Sequence, residues 1–451
     1  MSTFSSQLMP LRPAGYNERR YITRQSLGYY RTLAIGGIYT LKQDTNDQIS
    51  QQTFVPALKH CVATHPLLSA VIEGQDTESP AFSRPKALSL QDHVEILSVN
   101  DLEEEATNLS EKDLMHHVTV PFHKTFLHGL NGQKNNIHET FNCETPRTPL
   151  PPTVEQAGKL SISWSYLLSP LFGAYLPDFV ARSLGLRAST TPKSADAWKG
   201  IKSPFDHSTF TTGLEFFTVS HATMDKTLQL CGAHDVKFTS LLHQLVVRAL
   251  SEALPKNTST GDSIGSFIAL TVVDLRHLLK GIGSDDMSCP GPTASFELFS
   301  RSNVEDWEDW TSPKSNSPIW TAAHQTTQDI ADRASTLRDQ PIGLLPYLSK
   351  FRPWMQGEAE KDRDSSYEIS NLGVFDPTAD AQKGNWDIES MLFAQPANVM
   401  GSCLAVNVVT KKGGDNTISL TWQAGTLGVG KEQEFVSFVC QLLEEYFGEV
   451  A

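Results

Sequence analysis

The chain has 451 residues, of which 39% are hydrophobic and 20% are charged, and this composition is typical of a soluble globular protein. A chain of this length favours two domains, each with a substantial core. The formal net charge of −14 argues against nucleic-acid binding, because contacts to phosphates require clustered lysine and arginine.

The cysteines and the apolar segments exclude several further classes of protein. Six cysteines are scattered along the chain without a CxxC pair, which is typical of reduced, mostly buried thiols. No cysteine–histidine spacing matches a structural zinc site, so we expect no bound metal. No stretch reaches the roughly 18 apolar residues of a membrane span, and the first residues lack a signal-peptide core. We therefore expect a cytoplasmic protein.

In the first half of the chain, apolar patterning predicts three elements after a loose, serine- and proline-rich lead-in at residues 1–16. Residues 33–41 predict a first strand. Residues 53–64 carry apolar side chains at helical spacing and predict an amphipathic helix, and residues 122–130 predict another. His65 directly follows the first of these helices and precedes a proline, so we expect a helix-end residue rather than a catalytic one.

The middle of the chain contains breaks that suggest a domain boundary. Residues 145–152 include four prolines and predict a linker or surface loop. The apolar stretch at 166–186 is interrupted by prolines and charges, which predicts one or two buried helices. Serine, threonine, proline and lysine dominate the stretch that follows. We therefore divide the chain into an N-terminal half (1–187), a linker (188–204) and a C-terminal half (205–451).

The C-terminal half reads as alternating strands and helices, a pattern that favours α/β layers. No glycine-rich dinucleotide-binding motif accompanies it. The predicted strands are 215–219 and 267–273, and the predicted helices are 224–231, 240–254, 321–339 and 433–447.

Late in the chain, residues 365–376 combine a short strand-forming apolar run with polar side chains next to a glycine. Ser370 and Asn371 offer hydrogen-bonding groups beside Gly373, where we expect a side chain to obstruct the close approach of a backbone. This arrangement suits a strand end that faces a ligand. The same residue types are also compatible with a plain turn.

The Ser-Asn-Leu-Gly-Val-Phe run at 370–375 resembles a segment of the fungal alcohol acetyltransferase family, and the similarity continues through 391–395, 405–410 and 417–423. That family belongs to the CoA-dependent acyltransferases with a chloramphenicol-acetyltransferase-like fold. The resemblance implies an α/β fold, a two-domain sandwich with mixed sheets and a channel between the halves. It also implies acetyl-CoA as a co-substrate rather than a bound cofactor, and a small hydrophobic alcohol or amine as the acceptor. We expect a monomer.

Acyl transfer from a thioester requires a base that removes the proton of the acceptor, and a histidine suits this task near neutral pH. In the resembled superfamily the base is the second histidine of a His-His-x-x-x-Asp-Gly motif. This chain contains the pair His116 and His117, but Pro121 stands four residues after the second histidine. The resemblance makes His117 the candidate base. The alternative is a loop histidine pair left at the edge of a deletion.

The residues after this pair match the helix that follows the motif in the resembled family. Residues 122–127 read Phe-His-Lys-Thr-Phe-Leu, close to the family phrase Phe-His-x-Thr-Leu-Leu, and the pair lies too near to contain the motif. The strand expected before the motif is missing from residues 98–115. We interpret the two omissions as one contiguous loss, by deletion or by a skipped exon. His123 and His128 are expected to be surface or helix residues.

Other polar residues of the second half predict structural roles. Of the fourteen histidines, only His221 has an aspartate, Asp225, at the fourth following position, and about one such match is expected by chance. Its place at a predicted strand-to-helix junction favours an ordinary first-turn helix position for Asp225. Asp274 and Arg276 follow a predicted strand, and the resemblance implies a buried pair that stabilises its end.

Two functions from different classes remain open. The first is acetyl transfer, with His117 as the base and with Ser370, Asn371 and Gly373 shaping the channel near the acyl group. The second is a catalytically inactive or repurposed scaffold that binds a hydrophobic metabolite or a partner protein. The missing aspartate and glycine of the motif favour the second function, whereas the resemblance of the C-terminal half favours the first.

Overall fold

The computed structural model describes residues 8–31, 33–42, 50–93, 120–132, 140–168, 191–202, 205–257, 261, 263–283, 293–377 and 384–451. The helices among these residues are α1 (Tyr16–Ser26), α2 (Gln51–Thr64), α3 (Val120–Gly132), α4 (Val154–Ala157), α5 (His221–Ala233), α6 (Phe238–Ala253), α7 (Pro318–Ala334), α8 (Phe351–Ala359) and α9 (Glu432–Val450). The strands are β1 (Met9–Pro13), β2 (Ala34–Leu41), β3 (Val71–Glu73), β4 (Ala81–Arg84), β5 (Ala87–Ser89), β6 (Asn142–Glu144), β7 (Thr212–Val219), β8 (Ser266–Val273), β9 (Thr293–Ser300), β10 (Ser365–Phe375), β11 (Trp386–Ala394), β12 (Ser402–Lys411) and β13 (Asn416–Gln423).

The largest sheet has six strands in the order β7-β13-β12-β10-β8-β9. Strand β10 runs parallel to both of its neighbours, β12 and β8, and the remaining pairs are antiparallel. The sheet is therefore mixed, and the predicted α/β class with mixed sheets is confirmed.

Helices α5, α6, α7 and α9 form a layer with this sheet, and the main hydrophobic core lies between helices and strands. The apolar positions that predicted α6 from their 3.6-residue period, among them Leu241, Leu245 and Leu250, are fully buried. Each buried leucine stabilises the fold by about 1.5–3 kcal/mol relative to an exposed one. Tyr367 and Ile369 of β10 belong to the same core, which places the alternate residues of that strand on the opposite face of the sheet.

A strand from late in the chain joins that opposite face to the N-terminal half. Strand β11 pairs antiparallel with β2, from Trp386 opposite Leu41 to Ala394 opposite Ala34. The Ser419 hydroxyl on β13 donates a hydrogen bond to the carbonyl of Phe393 on β11 at 2.6 Å. The β2–β11 ribbon therefore links the six-stranded sheet to the N-terminal half.

The N-terminal half also contains a three-stranded sheet in the order β1-β4-β3 and the pair β5-β6. The predicted loose lead-in at residues 1–16 is wrong for the residues of β1, which pair with β4. Pro10 and Pro13 lie in this strand, although proline is unfavourable inside strands. The predicted "first strand" at 33–41 is β2, and the predicted helices at 53–64 and 122–130 correspond to α2 and α3.

Several sequence predictions concern parts of the chain that the structure describes only partly. Most of the apolar stretch at 166–186 and the predicted gap at 98–115 lie outside the described residues. Four of the five cysteines in the described part are buried, and none of the five forms a disulfide. No helix in that part is long and apolar enough to cross a membrane.

Candidate functional site

Strand β10 positions all three of the predicted channel residues. Ser370 lies opposite Asn407 of β12, and Asn371 lies opposite Val408, in the parallel pairing of the two strands. Ser370 is buried, with 6% of its surface exposed. Because the strand continues as far as Phe375, the alternative of a plain turn at these residues is wrong.

Gly373 is required for its backbone conformation rather than for close packing. Its φ angle is +75°, and a Cβ atom placed there would have no neighbour within 4 Å among the described residues. The pairing with β12 shifts register between Asn371 and Val374, so Gly373 lies in a β-bulge. The predicted close approach of a backbone is therefore wrong for the described chain, and the left-handed conformation explains the glycine instead.

The side chain of Asn371 holds this bulge in place from both of its ends. Its Oδ1 accepts a hydrogen bond from the backbone N–H of Gly373 at 2.8 Å, and its Nδ2 donates to Oγ1 of Thr239 on α6 at 3.1 Å. Asn371 therefore connects the irregular end of β10 to the helical layer. Its amide is committed to the fold.

The face of β10 that lies away from the helical core carries a row of buried polar groups. Glu368 and Ser370 lie on this face, and their neighbours across the sheet are Asn407 of β12 and Ser419 of β13. The Nδ2 of Asn407 donates to the Ser419 hydroxyl at 3.2 Å. Buried polar groups on an interior sheet face are costly unless they are paired or used, so this row marks the part of the sheet best suited to contact a polar ligand.

Glu368 is tied to the N-terminal half through two further side chains. Its Oε1 accepts a hydrogen bond from Nε2 of Gln395 at 2.9 Å, and Oε1 of Gln395 accepts one from the Tyr30 hydroxyl at 3.1 Å. Burial raises the pKa of Glu368 above its ordinary value, while the positive charge of Arg24 and the Gln395 hydrogen bond act in the opposite direction. The connection between Glu368 and Gln395 joins β10 to the residue directly after β11.

One histidine of the C-terminal half is fully buried and has a structural role. His243 of α6 is fully buried, and its ring nitrogens lie 3.0 Å from the Tyr367 hydroxyl and 2.8 Å from the Thr271 hydroxyl. Burial lowers its pKa to about 3, so the ring is neutral at physiological pH. A base without access to solvent and with both nitrogens engaged has no route to a substrate, and His243 is a structural residue.

The candidate base His117 lies outside the described residues, as does His116. His123 on α3 is buried, with Nε2 3.1 Å from the carbonyl of Ile35 and Nδ1 2.7 Å from the Tyr39 hydroxyl. The carbonyl can only accept, so Nε2 carries the proton and Tyr39 donates to Nδ1. The prediction that His123 is a helix residue is confirmed.

His65 and His221 also occupy the structural positions expected from the sequence. His65 directly follows α2, and its Nε2 lies 2.8 Å from the Thr125 hydroxyl on α3. His221 is the first residue of α5, and its Nε2 is 3.6 Å from the Asp225 carboxylate. The side chains of His221 and Asp225 are about half exposed, at 51% and 55%, so they form a surface pair at the start of α5.

Asp274 and Arg276 form the expected ion pair, at 2.7 Å, directly after β8. The expectation that this pair is buried is wrong, because 55% of the Asp274 side chain and 31% of the Arg276 side chain are exposed. Partial burial tends to raise the pKa of Asp274, but hydrogen bonds from Arg276 outweigh this effect and the pKa is lowered. The pair therefore stabilises the turn after β8 as a partly exposed ion pair.

Sequence reasoning identified Ser370 and its neighbours but missed the residues that surround them. Glu368 lies in the same run, and the available signal was a glutamate between apolar residues of a buried strand. Tyr30 and Gln395 are separated from it in sequence and carried no such signal. Their contribution depends on the pairing of β11 with β2, which brings distant segments together.

Comparison with known protein sequences finds similarities that are strongest in the C-terminal part. Residues 331–446, which include β10 to β13 and most of α9, match the family described as alcohol acetyltransferase. A probable alcohol acetyltransferase of Fusarium pseudograminearum is 23% identical over 476 residues, covering 92% of this chain and 91% of that protein. A probable alcohol acetyltransferase of Aspergillus fumigatus is 32% identical over 87 residues, covering 19% of this chain and 18% of that protein.

Solved structures share the fold over almost the whole chain. The trichothecene 15-O-acetyltransferase of Fusarium sporotrichioides superposes with a TM-score of 0.63 at 12% identity, over 96% of this chain and 94% of the other. The condensation domain of the monacolin K polyketide synthase superposes with a TM-score of 0.54 at 10% identity, over 98% and 99% of the two chains. At these identities the likeness establishes the fold, which is that of the condensation-domain and chloramphenicol-acetyltransferase-like acyltransferases.

The expected resemblance is therefore confirmed by the sequence match around β10 and by the shared architecture. The chain is similar to alcohol acetyltransferases in its C-terminal part and shares its fold with an O-acetyltransferase of known structure.

Proposed function

We propose that this protein transfers an acetyl group from acetyl-CoA to the hydroxyl of a small, largely hydrophobic alcohol, with an amine as the alternative acceptor. The observation that carries this proposal is the match of residues 331–446 to the alcohol acetyltransferase family. This segment contains β10 and its row of buried polar groups. That row lies next to the β2–β11 ribbon, where a ligand would meet residues from both halves.

In the proposed reaction, His117 acts as the base. Its neutral imidazole takes the proton of the acceptor hydroxyl while the oxygen attacks the thioester carbonyl. The tetrahedral intermediate carries a negative oxygen, which requires a hydrogen-bond donor fixed in position. When the intermediate collapses, the C–S bond breaks, the acetyl ester forms, and the thiolate of CoA takes the proton back from the imidazolium.

The residues of β10 would have separate roles in this reaction. The Ser370 hydroxyl is the candidate donor to the oxyanion, because Ser370 lies on the buried face with the polar row. Asn371 and Gly373 would shape the channel wall through the bulge, since the Asn371 amide is already bonded to Thr239 and to Gly373 itself. In this proposal Ser370 contacts the substrate, whereas Asn371 and Gly373 shape the channel wall without contacting the reacting atoms.

The alternative function is a scaffold that binds a metabolite or a partner protein without catalysis. The absence of Asp and Gly from the histidine motif favours this alternative. The alignment with the Fusarium pseudograminearum relative spans 476 positions, more than the 451 residues of this chain. Some residues of that relative therefore have no counterpart in this chain. This difference is compatible with the segment that the sequence around the histidine pair lacks.

The experiment that separates the two functions uses the purified full chain with acetyl-CoA and a panel of linear, cyclic and aromatic alcohols and amines. Thiol release and the acetylated product are measured together. The proposal predicts thiol release that depends on the acceptor, with an acetyl ester of matching amount. Calorimetric binding of an acceptor without any thiol release would contradict the proposal and support the scaffold.

A further inference from the structure

The inner face of helix α1 carries polar side chains with buried atoms that form no hydrogen bond within the described part of the chain. Asn17, Arg20 and Arg24 are spaced three and four residues apart and therefore lie along one side of the helix. The buried atoms without a partner are Nδ2 and Oδ1 of Asn17, Nε of Arg20, and Nε and Nη2 of Arg24. Asn17 has only 2% of its surface exposed.

Groups of this kind are rare in folded proteins, because an unpaired buried donor or acceptor destabilises the fold by about 1–3 kcal/mol. Three such side chains on one helix face therefore require an explanation, and a ligand or ion that completes their hydrogen bonds is one. The same positions in a purely structural helix would carry apolar residues. The inner face of α1 has instead kept five buried polar atoms without partners.

The positive charge on this face is only weakly compensated. The guanidinium of Arg24 lies 4.3 Å from the centre of the Tyr30 ring, and the guanidinium of Arg20 lies 4.9 Å from that of Tyr21. The nearby buried carboxylate is Glu368, and among the described residues it forms no ion pair within 4.0 Å of either arginine. The carboxylate that acts on Arg24 is therefore Glu368, which is already bonded to Gln395.

This cationic face is connected to the candidate active site through a chain of side-chain contacts. Arg24 stacks on Tyr30, whose hydroxyl donates to Gln395, whose amide donates in turn to Glu368. Ser370 lies two residues further along the same face of β10, which is about 7 Å. Arg24 interacts with Glu368 through its charge, and Ser370 follows Glu368 on the same strand face, so a ligand that contacts both would lie beside that carboxylate.

We propose that Asn17, Arg20 and Arg24 bind a carboxylate group of the acceptor, so that the preferred acceptor is a hydroxy acid rather than a neutral alcohol. The identification of the ligand as the acceptor rests on the proposed acetyl transfer, whereas the carboxylate-binding site is argued independently of it. Guanidinium groups match the planar geometry of a carboxylate with paired N–H donors, and the Asn17 amide adds another donor. The carboxylate would accept hydrogen bonds from the unpartnered N–H groups of these three side chains and balance the charge.

The test measures binding in the absence of acetyl-CoA. The probes are 6-hydroxyhexanoate, its methyl ester and 1-hexanol, which differ mainly in the carboxylate, and affinity is determined by calorimetry. The wild-type protein should bind the acid at least about tenfold more tightly than the ester, as expected for one charge-assisted hydrogen bond. Arg24→Gln should remove this preference, and Arg20→Gln should reduce it.

A matched control lies on the same helix. Arg19 follows Glu18 and precedes Arg20, and its Nε donates to the carbonyl of Ala14 at 3.0 Å. Arg19→Gln removes the same charge from a satisfied position and should keep the preference for the acid. Thermal melting of each variant shows whether it is folded, and Arg20→Gln provides the test if Arg24→Gln does not fold.

Equal binding of the acid and the ester by the wild-type protein would overturn the proposal, as would an unchanged preference in folded Arg24→Gln. Weakened binding of CoA without a change for the acid would also overturn it, because the anion would then be a phosphate of the donor. Thiol release assays on the same proteins separate the two proposals. A preference for the acid without acetyl transfer keeps the carboxylate site, while transfer to neutral alcohols without that preference keeps only the acetyltransferase.

Discussion

The Nε2 of Gln395 donates a hydrogen bond to Oε1 of Glu368 at 2.9 Å, and this contact connects the strand that bears Ser370 to the end of β11. Because β11 pairs with β2, the contact lies where the N-terminal half meets the six-stranded sheet. It holds a buried carboxylate two residues from the proposed oxyanion donor. The geometry of the candidate site therefore depends on a side chain far away in sequence.

Replacement of Gln395 by leucine should destabilise the protein. The Gln395→Leu variant removes the hydrogen bonds of Gln395 to Glu368 and to the Tyr30 hydroxyl, and we expect a loss of about 2 kcal/mol in the free energy of unfolding. Urea denaturation measures this loss. The matched control is Gln325→Leu, at an exposed position of α7 where the amide bonds to Asp329 one turn away. Equal stability of the two variants would contradict the structural role of Gln395.

The bulge in β10 should tolerate no side chain at Gly373, for conformational rather than steric reasons. Gly373→Ala keeps open space around its Cβ but forces a left-handed backbone, which should destabilise the protein by about 1–2 kcal/mol. Gly36→Ala in β2 is the matched control, since its Cβ also meets no described atom within 4 Å and its φ is not positive. We expect that variant to be as stable as the wild-type protein. The explanation is incorrect if both alanines have the same effect.

The buried histidine of α3 should make stability depend on pH. Burial lowers the pKa of His123 to about 4, below the value of 6.5 in an unfolded chain, so the unfolded state binds more protons between these values. Stability should therefore fall as the pH falls below 6.5. Between pH 6.5 and 5 the contribution of His123 is about 2 kcal/mol, and His243 acts in the same direction.

His123→Gln should reduce this dependence, although the variant is less stable at pH 7. Chemical denaturation at pH 7 and pH 5 compares the two proteins, and the loss between these values should be smaller in the variant by about 2 kcal/mol. Parallel losses in the two proteins would show that His123 titrates normally. The bonds of its ring to Ile35 and Tyr39 would then not persist in solution.

Local patterns predicted the parts of the fold whose information lies within one segment. The apolar period of α6 and the strand at 267–273 belong to this class. Helix α1 was missed because its inner face carries Asn17, Arg20 and Arg24 where a structural helix would carry apolar residues. The feature that concealed this helix is the same feature that suggests a binding site.

Residue types identified part of the candidate site, and tertiary contacts supply the rest. Ser370, Asn371 and Gly373 stand out in the sequence, but the reason for the glycine requires its φ angle. The partners of Glu368 could not be predicted, since the pairing of β2 with β11 joins segments about 350 residues apart. Such pairings depend on the complete chain and leave no local pattern.

The most direct test of the proposed function compares two neighbouring variants, His117→Ala and His116→Ala, in the acetyl-CoA assay with an accepted alcohol. The proposal assigns the base to His117 alone, so its loss should reduce turnover by a factor of about 10²–10⁴ while the melting temperature stays unchanged. His116→Ala should retain turnover close to that of the wild-type protein. Undiminished turnover in folded His117→Ala would contradict the assignment of the base.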